Sequence, residues 1–222
     1  MGRASFSSAL SLVRRTYAKS PAAVRLHALG RFLTCPFLPV LAAIPPGARL
    51  LDLGAGHGTF ARLAVEGIAA SAVAVEPDVR KVLTTYRHPR VHFVAGYADA
   101  LAGDAGARGA FGAVSLLDVL YRLPLAGWDP LLQHAFDRLA PGGVLLLKEI
   151  DPGHRGKALW NRAQEKMADL LGMTLGSAWS YETPDQVRDR LTRLGFERFT
   201  ARGIGAGYPH AHVLYTARRP RR

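Results

Sequence analysis

Two kinds of hydrophobic pattern divide the chain. Over residues 5–19, Phe6, Leu10, Val13 and Tyr17 recur at helical spacing and form one narrow apolar stripe, with Arg3 and Arg14 beside it. Pro21 opens a second expected helix that runs to about residue 33, and Pro36, Pro39, Pro45 and Pro46 then break the pattern. From residue 48 onward short apolar runs alternate with helical ones. Strands are expected over 49–53, 71–75, 91–95, 111–117 and 144–150, and helices over 59–67, 78–86 and 131–139. The run over 144–150 is almost continuously apolar, as in strands buried on both faces. Residues 102–110 read as a Gly/Ala-rich loop. Beyond 150 come an expected helix over 156–171, a helix opened by Pro184 and running to 194, and two last strands near 197–202 and 211–217. In the second of these Val213 and Tyr215 face one way, and His212, Leu214 and Thr216 the other.

Strands alternating with helices predict an α/β fold with a doubly wound, mostly parallel sheet and an N-terminal helical extension. The expected division is 1–46 for the extension and 47–222 for the main domain. Residues 151–183 are read as an insertion that closes over a bound molecule.

The 222 residues suffice for a proper core, and 49% hydrophobic with 21% charged residues is ordinary globular usage. Cys35 is the only cysteine, so neither an intrachain disulfide nor a cysteine metal site is available. His210 and His212 lie two apart and His88 and His92 flank a turn, but neither pair has a third ligand nearby in sequence, and no metal centre is expected. No run of 18 apolar residues exists, so no transmembrane helix is expected. The net charge of +12 comes from the ends. Residues 1–51 hold seven cations and no acid, residues 198–222 hold six and none, and the stretch between is nearly neutral. Basic ends of this kind suit nucleic acid, an anionic membrane surface, or simply solvent.

The chemistry sits where the first strand hands over to a helix, in Asp52-Leu53-Gly54-Ala55-Gly56-His57-Gly58-Thr59. Glycines there permit a tight turn and close approach by a ligand, and a helix N-terminus favours an anion. Glu76 ends the next strand, where an acid accepts hydrogen bonds from ribose hydroxyls. A dinucleotide fingerprint would need a third glycine where Thr59 stands. The acid-x-Gly-x-Gly-x-Gly form instead resembles the first motif of class I S-adenosylmethionine (SAM)-dependent methyltransferases. Ala74-Val75-Glu76-Pro77, the run Phe111 to Leu120, and Asp137-Arg138-Leu139-Ala140-Pro141-Gly142-Gly143-Val144 are similar to three further motifs of that family, in order.

The resemblance implies a Rossmann-like seven-stranded sheet and SAM as cofactor. It also implies roles by position. Asp52, Gly54, Gly56 and Gly58 would hold the methionine part, and Glu76 the ribose. Tyr97 and Ala98 would lie at the adenine, with Tyr97 departing from the family's usual Asp. Leu117 and Asp118 would border the sulfonium. Where many small-molecule members carry two histidines, this chain has Tyr121 and Arg122. Candidates for a base that takes a proton from the acceptor are Asp118, Tyr121, His154 and His210, with Glu149 and Asp151 also near the expected pocket. Lys148 and Glu149, at the end of the fifth strand, read either as local charge pairing or as substrate contacts.

The expected activity is methyl transfer from SAM to a small-molecule or lipid-like acceptor. The expected location is the cytoplasm, with peripheral membrane contact through the basic first helix as one option. Rival readings are an RNA methyltransferase gripping phosphates with its basic ends, a non-catalytic SAM-binding protein, and a nicotinamide oxidoreductase.

Overall fold

Alternating burial along the strands sets which side of the sheet each residue faces, and so where each helix docks. The computed structural model describes residues 5–101, 108–150 and 180–221. The helix expected over 156–171, with His154, Trp160, Met167 and Trp179, lies outside the described residues.

Seven strands form one sheet in the order β3-β2-β1-β4-β5-β7-β6. They are β1 (Arg49–Leu53), β2 (Ser71–Glu76), β3 (Val91–Ala95), β4 (Phe111–Leu117), β5 (Leu139–Ile150), β6 (Glu197–Gly203) and β7 (His212–Arg218). The first five pair in parallel, and β7 runs antiparallel between β5 and β6. The chain winds outward from β1 through β2 to β3, then returns to lay β4 on the other flank of β1. At such a switch point the loops after β1 and β4 diverge to opposite faces and leave a crevice at their C-terminal ends.

Seven described α-helices flank the sheet. They are α1 (Phe6–Thr16), α2 (Ala22–Thr34), α3 (Phe37–Leu41), α4 (Thr59–Gly67), α5 (Val79–Leu83), α6 (Trp128–Arg138) and α7 (Pro184–Arg193). Leu50, Ala113, Leu146 and Leu214 point to the side covered by α1 to α4. Leu51, Val114, Leu145 and Tyr215 point to the side covered by α6 and α7. The short α3 lies where prolines forecast only a break. Pro36 is its N-cap and Pro39 falls in its first turn, where no intrahelical N–H is needed. Likewise α6 starts at Trp128 rather than 131, because Pro130 fits a first turn. The expected helix over 78–86 shrinks to α5, capped by Asp78, whose side chain accepts from Arg80 N–H at 3.0 Å. The strand β5 begins at Leu139 rather than 144, because Leu139 pairs with Phe111; the register then shifts across the Pro-Gly-Gly segment and resumes with Val144 opposite Ala113.

The stripe on α1 is spent inside the molecule. Ala9, Val13 and Tyr17 are buried, and only Phe6 at the tip stays exposed, its ring 5.1 Å from that of Phe32 on α2. Among the described residues no helix is long and apolar enough to cross a membrane.

Candidate functional site

The turn after β1 holds three glycines in the left-handed region, Gly54 (φ 75°), Gly56 (φ 60°) and Gly58 (φ 77°). Two of them also lack room for a side chain. A Cβ at Gly54 would lie 2.6 Å from Val119 Cγ2, and one at Gly58 would lie 2.4 Å from Phe93 Cζ. A Cβ at Gly56 would meet nothing within 4 Å, so the crevice is open there. The turn is pinned from three sides. Tyr17 and Thr85 hydroxyls both donate to the His57 carbonyl at 2.7 Å, and the Tyr86 hydroxyl donates to that of Gly58 at 2.8 Å. Glu76, buried at the end of β2, straps it from below. One carboxylate oxygen accepts from Gly56 N–H at 2.8 Å and the other from Asp78 N–H at 3.1 Å, with Lys81 Nζ 3.6 Å away.

Asp52 lies beneath the same turn. Its Oδ1 accepts from the Ser115 hydroxyl at 2.6 Å, while Oδ2 is buried with no hydrogen-bond partner. Burial pushes this carboxyl up to about 7, against the lowering effect of Ser115. After β3, Tyr97 is 73% exposed at the rim, and Ala98 opens a short 3-10 turn to Leu101.

The segment after β4 carries the densest electrostatics. Asp118 adopts φ 63°, a region Asp tolerates better than most residues. Its Oδ1 accepts from Lys148 Nζ at 2.5 Å and its Oδ2 from Arg31 Nη1 of α2 at 2.7 Å. Burial would raise its pKa, but Lys148 and Arg31 outweigh that and hold it well below the usual carboxylate range. Lys148 is wholly buried. Beside it His212 donates from Nε2 to the Thr34 carbonyl at 3.0 Å, and burial followed by the Lys148 charge lowers its pKa to about 3. On the opposite side of the sheet Glu149 Oε1 accepts from the N–H groups of Val119 and Leu120, at 3.3 and 3.0 Å, and Oε2 is buried without a partner. Burial, then the Asp118 charge, pushes Glu149 up to about 8. Both effects favour its neutral form.

Over this edge lies α2. His27 presents its ring to His57, with Nδ1 to Nδ1 at 3.2 Å, a contact that needs one nitrogen protonated and one bare. His27 keeps an exposed outer edge. Desolvation of its inner edge and the charges of His57, Arg31, Lys81 and Arg122 lower its pKa.

Residues 26–200 match the family described as "Methyltransferase domain". The chain belongs to the SAM-dependent methyltransferases. SAM is its cofactor. Solved methyltransferase structures share the fold at low identity. Human N-acetylserotonin methyltransferase in complex with SAM superposes with a TM-score of 0.64 at 18% identity, covering 97% of this chain but only 57% of the human one. A putative methyltransferase in complex with the Haloferax volcanii Trm112 activator gives 0.66 at 14% identity, covering 94% and 97%. Burkholderia thailandensis 1,6-didemethyltoxoflavin-N1-methyltransferase gives 0.58 at 15% identity, covering 99% and 92%. No curated protein matches the chain by sequence.

In this methyltransferase the fold gathers Asp52, Gly54, Gly56, Gly58 and Glu76 around one turn, and brings Asp118 alongside through the contact of Val119 with Gly54. Leu117 is buried at the end of β4 and packs on the α1–α4 side. Asp118 is held by two cations, which makes it a weak proton acceptor. Burial raises the pKa of Tyr121, whose hydroxyl accepts from Arg122 Nε at 3.1 Å. His210 sits in the β6–β7 turn, its ring 5.9 Å from that of His212. His154 lies outside the described residues. The reach of His27, Arg31 and Cys35 to the site was missed in the sequence. Their spacing of four places them on one helical face, which was the available signal.

Glu149 and Asp52 both have raised values, so folding takes up protons between the free carboxyl range and about 7 to 8. Their contribution is complete at acid pH and is lost as the pH rises through those values. Glu149→Gln is expected to flatten the fall in unfolding free energy between about pH 4.5 and 8. At pH 9 it should exceed the parent by on the order of 2–4 kcal/mol in urea unfolding. Equal pH profiles for the two proteins would refute a neutral Glu149.

Proposed function

We propose that this methyltransferase acts on a small-molecule acceptor and holds SAM through Asp52, Gly54, Gly56, Gly58, Glu76, Tyr97, Ala98, Leu117 and Asp118. The observation that carries the cofactor site is the lone Asp52 Oδ2, a buried acceptor without a donor beside the open flank of Gly56. A buried oxygen of that kind is costly unless a ligand donates to it, and the ammonium of the cofactor's methionine part is a donor of the right charge.

When bound, SAM supplies a methyl group already activated by its sulfonium. This leaves the chain three tasks, namely to orient, to exclude water and to stabilise charge. Glu76 accepts from ribose hydroxyls while keeping its hold on Gly56 N–H. Tyr97, exposed at the rim, offers a ring face and a hydroxyl to the adenine. Leu117 closes the apolar side of the reaction centre, and Asp118, kept ionised by Lys148 and Arg31, lends negative charge near a cationic sulfur. The acceptor class is supported by the fold shared, at low identity, with methyltransferases of the small molecules N-acetylserotonin and 1,6-didemethyltoxoflavin.

Thermal unfolding tests the reading. SAM or its demethylated product S-adenosylhomocysteine (SAH), at 100 times the dissociation constant, should add about 2.7 kcal/mol. For a chain of this size the midpoint should rise by roughly 5–10 °C, with no rise from NAD. No shift with either SAM or SAH at millimolar concentration would sink it.

A further inference from the structure

Among the described residues, the segment after β4 gathers more positive charge than the acids paired with it neutralise. Lys148 and Arg31 share one carboxylate, that of Asp118. At the end of the short 3-10 turn Leu120–Arg122, the Arg122 side chain meets, among the described residues, the side chain of Tyr121. Its Nε donates to that hydroxyl at 3.1 Å and its guanidinium lies 5.3 Å from the ring centre. Among the described residues Arg122 has no carboxylate partner. Glu149, the other buried acid here, is turned toward the Val119 and Leu120 N–H groups on the opposite side of the sheet from Lys148. Among the described residues three fixed cations therefore have the one carboxylate of Asp118 between them, and the imidazole of His27 borders Arg31 and Arg122. Partly buried cations without counter-charge are unfavourable in a free protein, so a retained excess at a crevice is a place for an anionic ligand.

The geometry points to an oxyanion on the acceptor, a carboxylate or a phosphate group, received by Arg122 with Arg31. Arg122 ends the short turn after Asp118 and Val119, and its charge acts with that of Arg31 on both His27 and Tyr121. The preceding residue, Tyr121, accepts at its carbonyl from Ser180 N–H at 3.0 Å, where the chain returns toward α7. That is the acceptor's side of the cleft rather than the side of Asp52 and Glu76. A guanidinium fork matches both oxyanions with two parallel hydrogen bonds. Arg31 is a third exposed in its side chain while bonded to Asp118, so it retains donors for the same group. Assigning the anion to the acceptor rests on the cofactor reading above, whereas anion binding itself does not.

The test titrates inorganic phosphate, and separately benzoate, into the full chain at fixed ionic strength, with and without saturating SAH, followed by calorimetry. At least one of the two should bind saturably. Arg122→Gln should weaken that binding tenfold or more while SAH affinity stays within twofold, and Arg122→Lys should fall between. Arg14→Gln, which removes an exposed charge on α1, should change neither. A response to phosphate alone assigns a phosphate ester, and one to benzoate alone assigns a carboxylate. Saturable binding of neither, equal weakening by Arg14→Gln, or loss of SAH rather than anion binding in Arg122→Gln would each overturn the proposal. Anion binding in a chain that fails to bind SAH would overturn the cofactor reading instead.

Discussion

Asp118→Asn is expected to lower the unfolding free energy by about 3–5 kcal/mol, although it changes one atom. The amide fits the same space, and Asn tolerates the positive φ of 63° as well as Asp does. What is lost is, among the described residues, the one carboxylate paired with Lys148, whose side chain is 0% exposed. Arg31, a third exposed, can turn outward, so the cost falls on Lys148. For this chain length the midpoint should drop by roughly 10 °C. Lys148→Met in the Asp118→Asn background should recover most of the loss, because a flexible apolar side chain replaces the stranded ammonium. A single-substitution cost under about 1 kcal/mol, or no recovery in the double variant, would mean that the pair contributes little.

Glu76→Ala is expected to raise the dissociation constant of SAH about 100-fold, near 2.7 kcal/mol. Two effects combine. The carboxylate that accepts from Gly56 N–H and Asp78 N–H disappears, so the glycine turn loses its strap from β2. The ribose contact proposed for the same group goes with it, and hydrogen bonds to a charged group are worth about 1.5–3 kcal/mol each. Glu76→Gln keeps one acceptor and the side-chain volume, so a loss of about tenfold is expected. Calorimetric titration separates the three proteins. An alanine variant that binds SAH within threefold of the parent would remove Glu76 from the cofactor site.

How far the sequence disclosed this arrangement differs from element to element. The five parallel strands were legible because each is a short apolar run between turn residues; β1, β2, β4 and the second half of β5 are buried on both faces, whereas the edge strand β3 buries only Val91. The glycine turn was legible because positive φ and close contacts with Val119 and Phe93 restrict the residue type so sharply. The helix α2 was legible as a helix but not in its role. Its spacing showed a face, and only docking reveals that His27 meets His57 and Arg31 meets Asp118. Lys148 was ambiguous between charge pairing and substrate contact, and it pairs with Asp118, an acid 30 residues earlier on the adjacent chain segment. Glu149 faces the other side of the sheet from Lys148, as strand alternation requires, so two neighbours in sequence do separate jobs. The cap of α7 was forecast by Pro184 alone, and a reciprocal Thr183–Gln186 box fixes it.

The antiparallel insertion of β7 has a consequence for synthesis on the ribosome. The long apolar β5 ends at Ile150, yet the strand that covers its open edge begins at His212. At about 5–20 residues per second, the chain spends roughly 3–12 s with that edge unpaired after β5 has emerged. An uncovered apolar edge is a template for a second chain. Nascent chains halted between these two strands should therefore be the most aggregation-prone species this protein forms, and the ones most dependent on chaperones.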